Sequence, residues 1–401
     1  MNSRKLISDL DIIQIMSKKA PNYINSKLPG FGLSIFAKMT KLAQENKAIN
    51  LSQGFPDFNC SDELIELVNK YQKKGFNQYA PMPGVFELRQ KISKKIKKLY
   101  SKKYNFESEI TITSGATQAL YTAISCSIKK DDEVIIPEPA YDSYSPVVIL
   151  NGGNPVYVPL NKNDFTLDWN KIKDAITDKT RMIIINSPHN PTGSIITHSD
   201  IKILEEITRD TKILILSDEV YEHIIFDGQK HISISESEEL SAKAFVISSF
   251  GKTYHTTGWK IGYCAAPEHL TEEFRKIHQF IVFAVNTPIQ LAYAEYMNEE
   301  KHYQNLSPFY QRKRDILIDS LTKSRFKFSP TKGTYFQLLD YSNISDKNDM
   351  EFAIYLAKEK GVAVIPISPF CTIDKEKKII RVCFAKNDEV LMKASEILNN
   401  I

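Results

Sequence analysis

The stretch Met182-Ile183-Ile184-Ile185-Asn186-Ser187-Pro188-His189-Asn190-Pro191-Thr192-Gly193 decides the class of fold. Met182 to Ile185 are apolar without interruption, and they run into a cluster of Pro, Asn and Gly. So short a run bounded by turn residues reads as a strand, and its lack of alternation reads as burial on both faces. The same rhythm recurs on either side. Strands are expected at Ile110–Thr113, Glu133–Ile136, Pro155–Pro159, Met182–Asn186, Lys212–Leu216, Ala244–Ser248 and Ile261–Ala265. Most intervals are long enough for a crossover helix. This predicts an α/β protein whose large domain holds a mainly parallel seven-stranded sheet sandwiched by helices.

Upstream, Val85, Leu88, Ile92, Ile96 and Leu99 recur at helical spacing. The opposite face carries Lys91, Lys94, Lys95, Lys97 and Lys98, which reads as a solvated helix face. After Ala266 the pattern changes to a long helical stretch from about His269 to Glu299. A helix near Pro308–Ser324, a strand around Gly333–Leu339 and a helix around Asp349–Lys360 follow, and then strands at Val362–Pro366 and Lys378–Phe384. These predict a smaller α+β domain. The expected divisions are 1–53 (an N-terminal arm and part of the small domain), 54–300 (the large domain) and 301–401 (the small C-terminal domain).

Composition agrees. The chain has 401 residues, 42% hydrophobic and 25% charged, which excludes disorder, collagen and coiled coil as the dominant state. A net charge of +4 is too small to argue for nucleic acid. Apolar runs stop at six residues, as in Phe280 to Val285, so no membrane span is expected. The first residues lack an apolar leader core, so a secretory signal is not expected and a cytoplasmic location is. Five cysteines without CxxC spacing read as reduced thiols, and eight histidines without HxH or HExxH give no metal site.

In open α/β sheets, ligands bind beyond the carboxyl ends of the strands. Strand 110–113 runs into Ser114-Gly115-Ala116-Thr117-Gln118 and opens a helix. Strand 182–186 leads to Asn190, strand 212–216 to Asp218 and Tyr221, and strand 244–248 to Ser249 and Lys252. Each feature alone is ordinary: a cap, a turn, a surface lysine. Together they meet the needs of pyridoxal 5'-phosphate. A helix N-terminus and Ser249 suit a phosphate, Asp218 a protonated ring nitrogen, Asn190 and Tyr221 a ring oxygen, and Lys252 an imine.

Segments Ser187–Gly193, Ser217–Tyr221 and Ser249–Gly262 resemble the class I aminotransferases of pyridoxal-phosphate fold type I, and the resemblance covers nearly the whole chain. Leu51-Ser52-Gln53-Gly54-Phe55-Pro56-Asp57-Phe58, Asn77-Gln78-Tyr79-Ala80-Pro81 and Arg381-Val382-Cys383-Phe384-Ala385-Lys386 are similar to the branch holding kynurenine aminotransferases and bacterial methionine aminotransferases. The wording Ser248-Ser249-Phe250-Gly251-Lys252-Thr253-Tyr254-His255 is nearest the latter.

The resemblance implies roles. Lys252 would be the Schiff-base lysine and the proton-transferring base, and Asp218 the partner of the ring nitrogen. Lys260 would bind the phosphate, with Ser249 and the backbone of Gly115, Ala116 and Thr117. Tyr141 would stack on the ring. Tyr79 would reach the phosphate of a neighbouring subunit, which implies a homodimer with shared active sites. Arg381 would grip the substrate α-carboxylate, helped by Asn190 and the backbone near Ser52. The side-chain pocket is expected near Phe31 and Tyr335-Phe336, without a second arginine. The expected function is transfer of an amino group from methionine or an aromatic or apolar amino acid to a 2-oxo acid. A cysteine-conjugate β-lyase sharing Lys252, Asp218 and Arg381 is the first rival. A non-enzymatic regulator is the second, and the expected sheet begins too soon for a DNA-binding module to precede it. His189 and His255 flank the motifs and are not expected to catalyse.

Overall fold

Isoleucines that alternate between two faces become the centre of a two-sided sheet. The protein, a computed structural model, is described over residues 24–401, so the N-terminal segment read as lacking a leader lies outside the described residues. Residues 24–32 belong to a unit of their own, in which the Phe31 amide donates to the Leu28 carbonyl at 3.1 Å.

From Leu33 onward the chain is one unit with twelve strands. They are β1 (Ile49–Asn50), β2 (Ile110–Thr113), β3 (Glu133–Glu138), β4 (Asn154–Pro159), β5 (Thr180–Asn186) and β6 (Leu214–Asp218). Then come β7 (Ala244–Ser249), β8 (Gly262–Ala265), β9 (Phe336–Asp340), β10 (Val362–Ala363), β11 (Ile365–Pro366) and β12 (Ile379–Cys383). Seven form the large sheet in the order β2-β8-β7-β6-β5-β3-β4. Strand β8 runs antiparallel to both of its neighbours, and every other pairing is parallel. The mainly parallel seven-stranded sheet expected from the apolar rhythm is therefore present.

Period-two geometry divides each strand between two cores. Met182 and Ile184 of β5 pack with helices Gly115–Ser127 and Glu268–Ile281 on one face. Ile183 and Ile185 pack with helix His198–Thr208 on the other. Each fully buried isoleucine contributes on the order of 1.5–3 kcal/mol. A further core gathers β9, β11 and β12 with helix Leu306–Ser320 and with Ile35, Met39 and Ala43 of helix Ile35–Glu45. There, β11-β12-β9 is antiparallel, while β1 pairs parallel with β10.

Several expectations need correction. Strand β6 is Leu214–Asp218 and not 212–216, because the ladder pairs Asp218 with Asn186 on one side and Ile247 on the other. The single helix expected over 269–299 is two, Glu268–Ile281 and Thr287–Tyr296. Between them Phe283 takes φ 64°, Asn286 caps the second helix by accepting from the Ile289 amide, and Pro288 sits in its first turn. The helix from Asp349 changes at Leu356 from α to π geometry, and the expected strand 362–366 is split between two sheets. All five cysteines are free. Among the described residues no helix is long and apolar enough to cross a membrane.

On helix Phe86–Tyr100, Lys94, Lys97 and Lys98 are exposed as expected of a solvated face, but Lys95 is not. Its side chain is 6% exposed and its ammonium lies 2.6 Å from Glu222 Oε1. Glu222 also accepts from Tyr100 at 2.7 Å, and Ser248 donates to it at 2.5 Å. Burial pushes the Glu222 carboxyl up, but Lys95, His223 and the hydrogen bonds outweigh that and hold it below the usual carboxylate range. Removing one partner of such a pair leaves a bare buried charge. Lys95→Met is expected to lower the urea-unfolding free energy by about 3–5 kcal/mol at pH 7. The native pair's contribution is present above the ordinary carboxylate pKa and fades as pH falls, so the gap to the variant should narrow below about pH 4.

Candidate functional site

Four parallel strands deliver their carboxyl ends to one edge of the sheet, and the site grows from them. At the end of β6, Asp218 is 3% exposed. Its carboxylate accepts from Tyr144 Oη at 2.6 Å and from the Val220 amide at 3.3 Å. Burial pushes its pKa up to about 6 against the lowering effect of those two donors. Tyr144 opens helix Tyr144–Leu150, and its ring meets that of Tyr141 edge-on, with centroids 5.6 Å apart.

Beyond β5, Asn186 ties the turn together. Its Nδ2 donates to the Asp218 carbonyl at 2.8 Å, and its Oδ1 accepts from the Asn190 amide at 2.8 Å. Asn190 Oδ1 in turn accepts from Arg381 Nη1 at 2.7 Å. Arg381 lies in the middle of β12, and its Nη2 donates to the Ser52 carbonyl at 3.3 Å. The guanidinium rests 3.7 Å from the centroid of the Phe336 ring. Its Nε is buried with no hydrogen-bond partner. Burial lowers its pKa to about 10, opposed by Tyr221 first among its neighbours, which leaves it charged at neutral pH.

Beyond β7, Ser249 leads into the one-turn helix Phe250–Thr253, which carries Lys252. Lys252 Nζ donates to the Gly54 carbonyl at 2.9 Å and to Tyr335 Oη at 2.6 Å. Burial lowers its pKa to about 8. After β2, helix Gly115–Ser127 begins without a side-chain cap from Ser114, so that residue satisfies none of the first-turn amides. Gly115 has φ +74°, and a Cβ there would lie 3.3 Å from Lys260 Nζ. Lys260 is itself left-handed, at φ 54°, which brings its side chain onto the helix start.

These groups line one cavity of about 360 Å³, within the range of small-molecule sites. Of the expected residues, Gly115, Ala116, Thr117, Tyr141, Asn190, Asp218, Tyr221, Ser249, Lys252, Lys260 and Arg381 all line it. Ser52 meets it only through Arg381. Tyr79 does not line it: the side chain is 81% exposed, edge-on to Phe283 with centroids 5.1 Å apart. Phe336 lines the wall as expected, joined by Phe36, whereas Tyr335 lies behind it. Phe31 belongs to the separate unit ending at Gly32. Tyr144, Asn186 and Gly54 escaped the sequence reading. Tyr144 had one signal, its place one helical turn after Tyr141.

Lys252, Lys260 and Arg381 are the cations of the lining and Asp218 is its carboxylate. Three cations against one anion fit a ligand carrying negative charge at more than one point. An uncapped helix start beside Lys260 fits a phosphate, and a desolvated carboxyl fits a protonated ring nitrogen. The residues present thus fit pyridoxal phosphate together with a carboxylate-bearing substrate.

Comparison with known proteins agrees. The family model described as "Aminotransferase class I and II" matches residues 46–398. The methionine aminotransferase of Escherichia coli (strain K12) is 46% identical over 377 residues, covering 94% of this chain and 98% of that one. A solved Escherichia coli structure, described as identifying a methionine aminotransferase function, superposes with a TM-score of 0.93 at 45% identity, covering 95% and 100% of the two chains. The kynurenine–oxoglutarate transaminase of Dictyostelium discoideum is 32% identical over 411 residues, covering 92% and 94%.

The raised carboxyl of Asp218 makes a prediction about the ligand-free protein. Its folded pKa of about 6 exceeds the ordinary aspartate value, so the folded state holds the proton more tightly than the unfolded chain. This group's contribution is then complete below about pH 4 and is lost as pH rises through 6, on the order of 3 kcal/mol in all. Denaturant titrations of the native protein and Asp218→Asn across pH 4–8 are expected to show that change in the difference between their unfolding free energies, the histidine contributions being common to both.

Proposed function

The chain belongs to the class I and II aminotransferases, and on that premise we propose that it moves an amino group from methionine, or another apolar or aromatic L-amino acid, to a 2-oxo acid. The observation that carries this reading is Arg381, a buried guanidinium whose Nε has no partner, beside a cavity that also holds Lys252 and Asp218. When bound, pyridoxal phosphate supplies an electron-withdrawing ring that acidifies the amino acid's α-hydrogen.

The residues then divide the work. Lys260, Ser249 and the amides at Gly115, Ala116 and Thr117 hold the phosphate, and Tyr141 faces the ring. Asp218 keeps the ring nitrogen protonated, and Tyr144 steadies Asp218. Asn190 and Tyr221 serve the ring oxygen. Lys252 carries the cofactor at rest. Lys252 Nζ would also take the proton from the substrate Cα, and its lowered pKa suits that task near neutral pH. Arg381 receives the α-carboxylate in two parallel hydrogen bonds.

Apolar donors are favoured by the wall. Phe36 and Phe336 line it, and Arg381 is the only arginine among the lining residues. The methionine aminotransferase of Escherichia coli supports this preference, and the kynurenine–oxoglutarate transaminase of Dictyostelium discoideum supports the alternative of kynurenine as substrate. We further infer a cytoplasmic homodimer whose sites are shared. Tyr79 is exposed outside its own cavity and meets the exposed ring of Phe283, whose chain neighbours Phe280 and Ile281 are exposed too, which suits a face covered by a second copy. In this reading residues 54–300 form the large cofactor-binding domain and 301–401 the small C-terminal domain, with 1–53 an arm and part of the small domain.

In a donor panel with a common oxo-acid acceptor, methionine and phenylalanine are expected to rank above alanine, by about 10–200-fold per missing methylene at the most discriminating position. Aspartate is expected near the bottom, since its second carboxylate would be buried without a partner. A panel led by aspartate or glutamate would sink the apolar reading. The shared site is tested by mixing Tyr79→Phe and Lys252→Ala protomers. One site of each mixed dimer then has both native residues, so activity should rise above that of either parent, and no gain would defeat the composite site.

A further inference from the structure

Lys252 does not hang free in the cavity. Its amine is flanked by two oxygens, the Gly54 carbonyl at 2.9 Å and Tyr335 Oη at 2.6 Å, and Tyr335 Oη itself donates to the Gly54 carbonyl. The direction of these bonds matters. The only hydroxyl proton of Tyr335 is committed to Gly54, so toward Lys252 the phenol can only accept. A neutral primary amine has two N–H donors and one lone pair. With one donor given to each oxygen, both are used and the lone pair is left to point elsewhere.

Tyr335 is also hard to move. It is fully buried, its ring meets Tyr221 edge-on at 5.2 Å and lies 5.6 Å from Tyr310, and its carbonyl accepts from the Phe384 amide at 2.9 Å. The Lys252 ammonium position lies 5.2 Å from the Tyr335 ring centroid and 5.4 Å from that of Tyr221.

We propose that Tyr335 is a positioning residue for proton transfer: with the Gly54 carbonyl it takes up both N–H groups of the Lys252 amine and so aims the lone pair at the substrate α-hydrogen. This rests on the reading of Lys252 as the base. In the step, the Cα–H bond breaks, its proton forms a new N–H bond on Lys252, and its electron pair stays on carbon. Tyr335 neither gains nor loses a proton. The charged and titratable groups around the amine are Asp218, Tyr221, Lys260, Tyr335, Arg381 and Cys383. Of these, Tyr335 is the one in hydrogen-bond contact with it.

The test uses the cofactor-loaded enzyme and Tyr335→Phe, which keeps the packed ring and removes one acceptor. Full cofactor loading is expected, read by visible absorbance. The KM for methionine should change less than about twofold and kcat should fall about 10- to 100-fold, the penalty of a misaimed reacting group. The isotope effect on kcat with α-deuterated methionine should rise, because proton transfer then limits turnover more. Borohydride fixation followed by peptide mapping separates the two levels of the argument. Label away from Lys252 in the native enzyme overturns the reading of the base. Label on Lys252 in both proteins, with kcat and isotope effect unchanged in Tyr335→Phe, overturns the role of Tyr335 alone. Failure of the variant to fold or to take up cofactor also overturns it, since the residue would then build the site and not aim the amine.

Discussion

A guanidinium held out of water is the constraint on which the site depends. Arg381 is 1% exposed, and the centroids of the Phe36, Phe336 and Phe370 rings lie 5.4, 3.7 and 5.3 Å from it. Isolated in such surroundings a cation would be intolerable. It is tolerated because aromatic faces attract it, because Asn190 and the Ser52 carbonyl each accept one of its protons, and because it keeps one edge for an anion. Those partners come from distant parts of the chain. The turn after β5, the segment after β1 and strand β12 must therefore be in place before the arginine can be both buried and charged.

The same logic governs the rest of the lining. Asp218 is drawn toward neutrality and Lys252 toward its free amine by loss of water, while Lys260 is pulled in the same direction beside the helix start. The sheet supplies the rigidity that makes this possible. Asp218 is a paired residue of β6, locked between β5 and β7, and not a loop residue. Lys252 stands two residues into a one-turn helix whose N-cap, Ser249, ends β7. Precise placement of the reacting groups thus follows from ladder hydrogen bonds formed far below them.

What could be read from the sequence was what is local. The apolar runs named the sheet, and the polar residue at each strand end named Asp218, Asn190, Ser249 and Lys252, because chain direction alone brings those ends together. The partners that tune them are remote. Tyr144 reaches Asp218 across 74 residues, Tyr335 reaches Lys252 across 83, and Lys95 reaches Glu222 across 127. No periodicity reports such a pairing. Lys95 was read as solvated because helical spacing gives a face and not what covers it. The break after Ile281 was hidden by the apolar run through Val285, although Asn286 and Pro288, a cap and a first-turn proline, marked the second helix in plain sequence.

A pocket whose charged groups are all pushed toward their neutral forms is less stable than the fold could otherwise make it. That cost has a chemical use. An amine lowered to about 8 is a competent nucleophile and base at neutral pH, where an ordinary lysine is almost wholly protonated. A carboxyl raised to about 6 recovers its charge when a cation is set beside it, so the burial that weakens the empty site strengthens its hold on a protonated ring nitrogen. Three cations facing one carboxylate repel one another until anions arrive, which couples ligand binding to the stability of the whole edge of the sheet. Tyr144 and Tyr335 fit this scheme as neutral phenols. Tyr144 donates a hydrogen bond to Asp218 and Tyr335 accepts one from Lys252, and neither adds charge to a cavity that already carries too much of it.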